Sequence, residues 1–201
     1  EALAQTHIVG LATNVQFLRR VARTDSFAQA KLDTALIQRE QAVLFHQEPV
    51  GLPLAAAAAV AQTLLHERAS EGADPFSRRD GFHTHGVVQR RFEFEFAGEH
   101  VKASLTYERG GSLTLSVGSG EAMVTSPLVF EQRASGIELQ FAGQRTRAAV
   151  YPQGEVDHVF TPLGATQITS IDLLAHSGET AAEGGRLTAP MPGKVVSFAV
   201  K

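Results

Sequence analysis

The 201 residues contain no cysteine. That excludes a disulfide framework, thiolate zinc sites and a cysteine nucleophile, and it fits a reducing compartment. Charge of one sign is also scarce. The formal net charge is −3, and no basic run exceeds two residues (Arg19-Arg20, Arg78-Arg79, Arg90-Arg91). Nucleic acid is not an expected partner of such a surface. Long apolar runs are missing too. The longest, Leu52 to Leu65, is about 14 residues and contains Gln62, whereas a membrane span needs about 20. It reads as a buried helix of a soluble protein, with no membrane partner. No basic segment followed by an apolar one opens the chain, and Glu1 stands where an initiator methionine would. A secretory signal is therefore not expected, and an origin within a longer protein is.

Three zones of different pattern follow one another. Over residues 1–48, Ile8, Leu11, Val15, Leu18 and Ala22 recur at helical spacing, and Leu32, Leu36 and Phe45 continue it less regularly. Asp33-Thr34 can open another helix, since either side chain can cap free backbone N–H groups. Helices this short need a body to dock on. Pro49 to Pro53 then breaks the chain before a helix at Leu54–Ala69, which carries five consecutive alanines, Ala55 to Ala59. Sixteen positions make a rod of roughly 24 Å. Its first half is apolar on every side, the mark of a helix enclosed all round.

From Phe82 to about Leu174 the period falls to two. Phe92, Phe94 and Phe96 alternate with Arg91, Glu93 and Glu95. Val101, Ala103, Leu105 and Tyr107 share a face, as do Leu113, Leu115 and Val117, then Ile137, Leu139 and Phe141, then Thr146, Ala148 and Val150. Glycine-bearing turns at Ala97-Gly98, Gly110-Gly111, Ser135-Gly136, Ala142-Gly143, Gln153-Gly154 and Leu163-Gly164 punctuate them. The expected fold is α+β: short helices, then a long central helix with an antiparallel, roughly eight-stranded β-barrel. An eight-stranded barrel ordinarily has room only for side chains, so a helix inside it must be thin. The alanines supply that, and a helix laid across the barrel's end is the alternative. Ser177 to Arg186 is small, polar and flexible, a linker by composition. Leu187 to Val196 then turns through Pro190-Met191-Pro192-Gly193 into a strand that runs to Lys201.

Three segments in this order resemble the biotin-carrying alpha subunit of biotin-dependent acyl-CoA carboxylases. Gly10-Leu11-Ala12-Thr13-Asn14-Val15-Gln16-Phe17-Leu18, with Asp33-Thr34 downstream, is similar to the closing helices of a biotin carboxylase domain. Ala189-Pro190-Met191-Pro192-Gly193 is similar to the opening of a biotinyl domain. The helix and barrel between them resemble the linking (BT) domain. Asp74-Pro75-Phe76-Ser77 followed by Asp80-Gly81-Phe82 is most like the 3-methylcrotonyl-CoA branch, with the geranyl- and propionyl-CoA branches as competitors. The resemblance implies four parts. These are a biotin carboxylase tail over 1–48, a linking domain over 49–176, a flexible linker over 177–186 and a truncated biotinyl domain over 187–201.

It further implies a parent ligase using biotin, ATP and a divalent metal, working as a hetero-oligomer with a carboxyltransferase beta subunit. The compartment would be the bacterial cytoplasm or a mitochondrial matrix. This stretch would carry no catalytic residue and hold no cofactor or metal, since the biotinylated lysine falls beyond Lys201. Glu121-Ala122-Met123-Val124 imitates the biotinylation motif but has valine in the lysine's place.

The residues themselves offer few alternatives. His83 and His85 would share a strand face and could bind a metal, but no third ligand is placed. Asp157-His158 with a serine lacks the nucleophile elbow of a hydrolase. Gly118-Ser119-Gly120 reads as a hairpin turn rather than a phosphate cradle. The Asp74–Asp80 loop stands apart. It is rich in Pro, Phe and Arg, and Asp74, Pro75, Phe76, Arg78 and Arg79 are the expected partner-docking residues. An independent lipocalin-like ligand-binding barrel is the rival expectation, with the alanine helix competing for its pocket.

Overall fold

The computed structural model describes residues 2–11, 13–45, 50–82 and 84–172. The linker and biotinyl-strand expectations lie outside them.

Among its described residues the N-terminal zone forms a 3₁₀ turn at Ala2–Ala4 and four short α-helices, α1 (Val15–Val21), α2 (Asp25–Ala28), α3 (Leu36–Arg39) and α4 (Gln41–Leu44). The helical spacing that reaches back to Ile8 and Leu11 is not realised. The backbone turns at Gly10, where φ is +81°, and Leu11 is 76% exposed. Asp33 does not cap a helix directly. Its carboxylate accepts from the Ala35 N–H and pairs with Arg39 at 3.1 Å, which fixes the turn before α3. Arg20 donates to the Leu44 carbonyl, tying α1 to α4, and Leu44 is fully buried.

Helix α5 (Leu52–Ala69) starts at Gly51, with Pro53 in its first turn, where the missing N–H costs nothing. Every residue from Ala55 to Ala61 is 0–1% exposed. A helix lying on a surface would expose some of seven consecutive positions, because they span nearly two turns. This one is enclosed. It touches β3 on one side and β6, β7, β8 and β9 on the others.

The enclosing strands are β1 (Val88–Phe96), β2 (Glu99–Tyr107), β3 (Leu113–Val117), β4 (Val124–Pro127), β5 (Val129–Arg133), β6 (Gly136–Phe141), β7 (Gln144–Gln153), β8 (Val156–Phe160) and β9 (Ala165–Ser170). They form one antiparallel sheet in the order β4-β3-β2-β1-β9-β8-β7-β6-β5. The wall has nine strands rather than about eight. The extra one arises where the chain folds over at buried Leu128, so that β4 and β5 become opposite edges of the sheet. The barrel is thus nearly closed, with β4 lying against β6 at the seam.

The alternating faces point inward as their spacing predicts. Phe94, Val101, Ala103, Leu105, Leu113, Leu115, Val117, Ile137, Leu139, Phe141 and Ala148 are all buried around the helix. Phe94 stands opposite Val101, and Leu105 opposite Leu115, so large side chains meet in layers. Ala97-Gly98 and Ala142-Gly143 both take positive φ, the type I′ geometry of two-residue hairpins. The first strand begins at Val88, not at Phe82: residue 82 and residues 84–87 belong to the preceding loop. Among the described residues no helix is long and apolar enough to cross a membrane.

Candidate functional site

Between α5 and β1 the chain makes a long excursion, and the five expected docking residues all sit on it. A 3₁₀ turn at Pro75–Ser77 is its tip. Asp74 accepts the Phe76 N–H on its carboxylate at 3.1 Å. Ser77 Oγ accepts from the Gly72 N–H at 2.9 Å and donates to the Asp74 carbonyl at 2.7 Å. Glu71 accepts the Arg79 N–H at 2.8 Å, and Asp80 accepts the Phe82 N–H at 3.0 Å. The excursion therefore satisfies much of its own backbone with its own side chains. Short polar residues at these spacings do so readily, by reaching backbone N–H groups nearby in sequence.

Its return leg is pinned to the barrel. Gly81 has a φ of +71°, and a Cβ there would lie 2.5 Å from the Tyr107 ring. Only glycine lets the backbone pass over that ring. Below it, Arg90 on β1 donates to both carboxylate oxygens of Glu67 on α5, at 2.6 and 2.7 Å. That two-pronged bond holds the Glu67 carboxyl below the usual carboxylate range, outweighing its partial burial. It locks the end of the helix to the first strand, where the excursion both leaves and returns.

What the loop offers outward is apolar. Phe76 is 96% exposed and Phe82 85%. Pro75, Arg78 and Arg79 join them around a groove of about 690 Å³, floored by Glu67, Arg90 and Tyr107. Phe82 was not among the expected docking residues because its alternation with later apolar positions placed it in a strand. The adjacent Asp80-Gly81 turn is the signal that it belongs to the loop.

The remaining expectations separate cleanly. Asp157 and His158 are neighbours on β8 and so face opposite ways. Asp157 accepts from Ser170 Oγ at 3.3 Å, while His158 meets Gln153 and Gln167. The two do not form an acid–base couple. His83 lies outside the described residues, and His85 sits in a bend rather than on a strand. Among the described residues no three His, Asp or Glu side chains gather as a metal site. Gly118 to Gly120 leads from β3 into a 3₁₀ turn, and Met123 precedes β4 with its side chain half exposed.

Comparison with known proteins gives two matches. The model of the methylcrotonyl-CoA carboxylase alpha-subunit BT domain matches residues 51–173, from the start of α5 to just past β9. Methylcrotonoyl-CoA carboxylase subunit alpha, mitochondrial, of Dictyostelium discoideum is 22% identical over 217 residues, covering 99% of this chain. The chain spans 30% of the length of that curated relative.

Proposed function

The chain belongs to the family of methylcrotonyl-CoA carboxylase alpha-subunit BT domains, and from that premise we propose that it docks such a subunit on a carboxyltransferase beta subunit. One observation carries the reading: a loop braced by its own hydrogen bonds presents Phe76 and Phe82 almost wholly to solvent. Large exposed aromatics flanked by arginines on a braced support are what protein interfaces use as anchors, since little entropy is lost on burying them. The parent protein is then a biotin-dependent ligase using ATP and a divalent metal to carboxylate biotin. The carboxyl group passes to an acyl-CoA, 3-methylcrotonyl-CoA in leucine breakdown. Residues 1–48 are the tail of its biotin carboxylase domain, and 177–186 is the tether of the biotinyl domain that begins at 187. Residence in a mitochondrial matrix or a bacterial cytoplasm accords with this role.

A lipocalin-like carrier is not favoured. Its ligand would occupy the barrel axis, and α5 already fills it. The test is capture of the 201-residue chain by purified beta subunits of methylcrotonyl-, geranyl- and propionyl-CoA carboxylases. Binding to one identifies the acyl-CoA, and a Phe76→Ser/Phe82→Ser variant that keeps its circular dichroism loses that binding. Capture by none of the three would refute the docking role.

A further inference from the structure

On the side of the barrel where the N-terminal zone docks lies a cavity of about 760 Å³. Arg19 and Arg23 reach it from α1 and the turn after it, Arg147 from β7. His7, Gln132 and Tyr151 line it as well, and among the described residues that line it there is no aspartate or glutamate. In a chain of net charge −3 this is a local concentration of the opposite sign.

Arg19 is the unusual member. It is only 8% exposed, yet it donates to neutral acceptors alone, Gln16 Oε1 at 3.1 Å and the Pro162 carbonyl at 3.3 Å. Buried guanidinium groups are ordinarily matched by a carboxylate, because taking a charge out of water costs several kcal/mol. None of Arg19, Arg23 and Arg147 has a carboxylate within ion-pair distance among the described residues, whereas Arg145, beside Arg147, is engaged by Glu138. Burial lowers the Arg19 pKa first, and repulsion from Arg23 and Arg20 lowers it further. His7 stacks on Phe160 at 4.6 Å and meets the Tyr151 hydroxyl at 3.0 Å. Its pKa is depressed by burial and then by Arg19.

We propose that this cavity binds a multivalent oxyanion of the phosphate class, with Arg19 at its floor, Arg23 and Arg147 at its mouth, and Gln132 and Tyr151 as neutral donors. A single carboxylate would balance one of the three guanidinium groups, whereas a pyrophosphate or polyphosphate group balances all three. Guanidinium forks suit phosphate oxygens in pairs. The bound anion would also join the N-terminal zone to the barrel, since Arg19 and Arg23 come from one and Arg147 from the other. This site is on different elements from the Phe76 loop and does not depend on the docking role.

Calorimetric titration of the 201-residue chain with sodium pyrophosphate, inorganic phosphate and ATP tests it. Saturable binding of pyrophosphate is expected, and the Arg23→Gln/Arg147→Gln variant should weaken it at least about tenfold, since two solvent-screened charge-assisted contacts are lost. Both side chains are solvent-exposed, so the variant should keep its melting temperature, unlike one at Arg19. Arg145→Gln should leave affinity unchanged. ATP binding tighter than pyrophosphate would point to a nucleotide as the occupant, and equal affinity to the phosphate groups alone. No saturable binding of any of the three, or equal binding by the parent and the double variant, would overturn the proposal.

Discussion

The enclosed helix makes a prediction that can be worked from geometry. Nine strands about 4.8 Å apart and tilted about 40° close a wall of roughly 9 Å radius. The Cα cylinder of a helix is about 2.3 Å in radius, and alanine methyls extend its van der Waals surface to roughly 5 Å. Helix and wall therefore leave a layer only about 4 Å deep between them, and the inward-facing Phe94, Leu105, Leu115, Leu139 and Phe141 already fill it. Ala57→Leu adds three carbons at a position with no exposure. On an open surface of the core those carbons would stabilise by about 0.8 kcal/mol each. Inside a wall that cannot move outward without opening its ladder, overpacking costs about 1–3 kcal/mol instead. For a chain of this size that lowers the melting temperature by roughly 2–12 °C. Thermal unfolding followed by far-ultraviolet circular dichroism measures it, with Ala69→Leu at the exposed end of the same helix as the control. The control should stay within about 0.5 kcal/mol of the parent. Ala57→Gly should also destabilise, by about 1 kcal/mol or more, through lost helix propensity and a lost methyl contact. If Ala57→Leu melts with or above the parent, the helix is not enclosed and the reasoning fails.

Three further outcomes follow from the contacts. Glu67→Gln should cost about 1–2 kcal/mol by guanidinium denaturation, a charge-assisted bond discounted for partial exposure of both partners. Because the Glu67 carboxyl titrates below its ordinary range, this stabilisation is present above that range and lost as pH falls through the folded value. The variant should therefore flatten the acid limb of the stability curve. Asp157 behaves oppositely. Burial raises its pKa more than Ser170 and His158 lower it, so the folded state holds its proton more tightly than the unfolded chain does. Stability drains as pH rises from the ordinary carboxylate value through the folded one, and Asp157→Asn should remove that slope and match or exceed the parent at neutral pH. Gly81→Ala forces a methyl onto the Tyr107 ring at a positive φ. It should weaken beta-subunit capture while the barrel's circular dichroism persists; unchanged capture would mean that the loop's return path does not shape the docking surface.

The barrel was legible because its two inputs are strong. Period-two alternation survives across β1, β2, β3, β6 and β7, and the hairpin turns carry residues suited to their backbone. An all-round apolar helix was legible in five alanines, but whether it lies inside the barrel or across its end was not. The N-terminal zone was less legible. Its helices are held by distant partners, such as Arg20 on Leu44 and Arg19 on Pro162, and a local pattern cannot show these. The ninth strand was hidden too. Residues 124–133 contain no glycine, and Ser126-Pro127 before buried Leu128 is a weaker signal than the glycine-bearing turns elsewhere. Five of the loop's exposed residues could be singled out from composition, yet Phe82 could not, since an exposed phenylalanine beside a strand looks like a core one. The oxyanion cavity was invisible, because Arg19, Arg23 and Arg147 are brought together only by the fold.

An axle placed inside its own drum constrains the order of assembly. Helix α5 comes off the ribosome before any of the staves, and the pairing of β1 with β9 at Phe94 and Ser170 waits until nearly the whole drum has emerged. Until then the alanine rod has nothing to shield it, and it lacks the tertiary packing that supplies most of a helix's stability. The drum, lacking its axle, would enclose a void. Neither half is a stable stopping point, so this module forms late and all at once, and a subunit built around it commits to its final connection only after that closure.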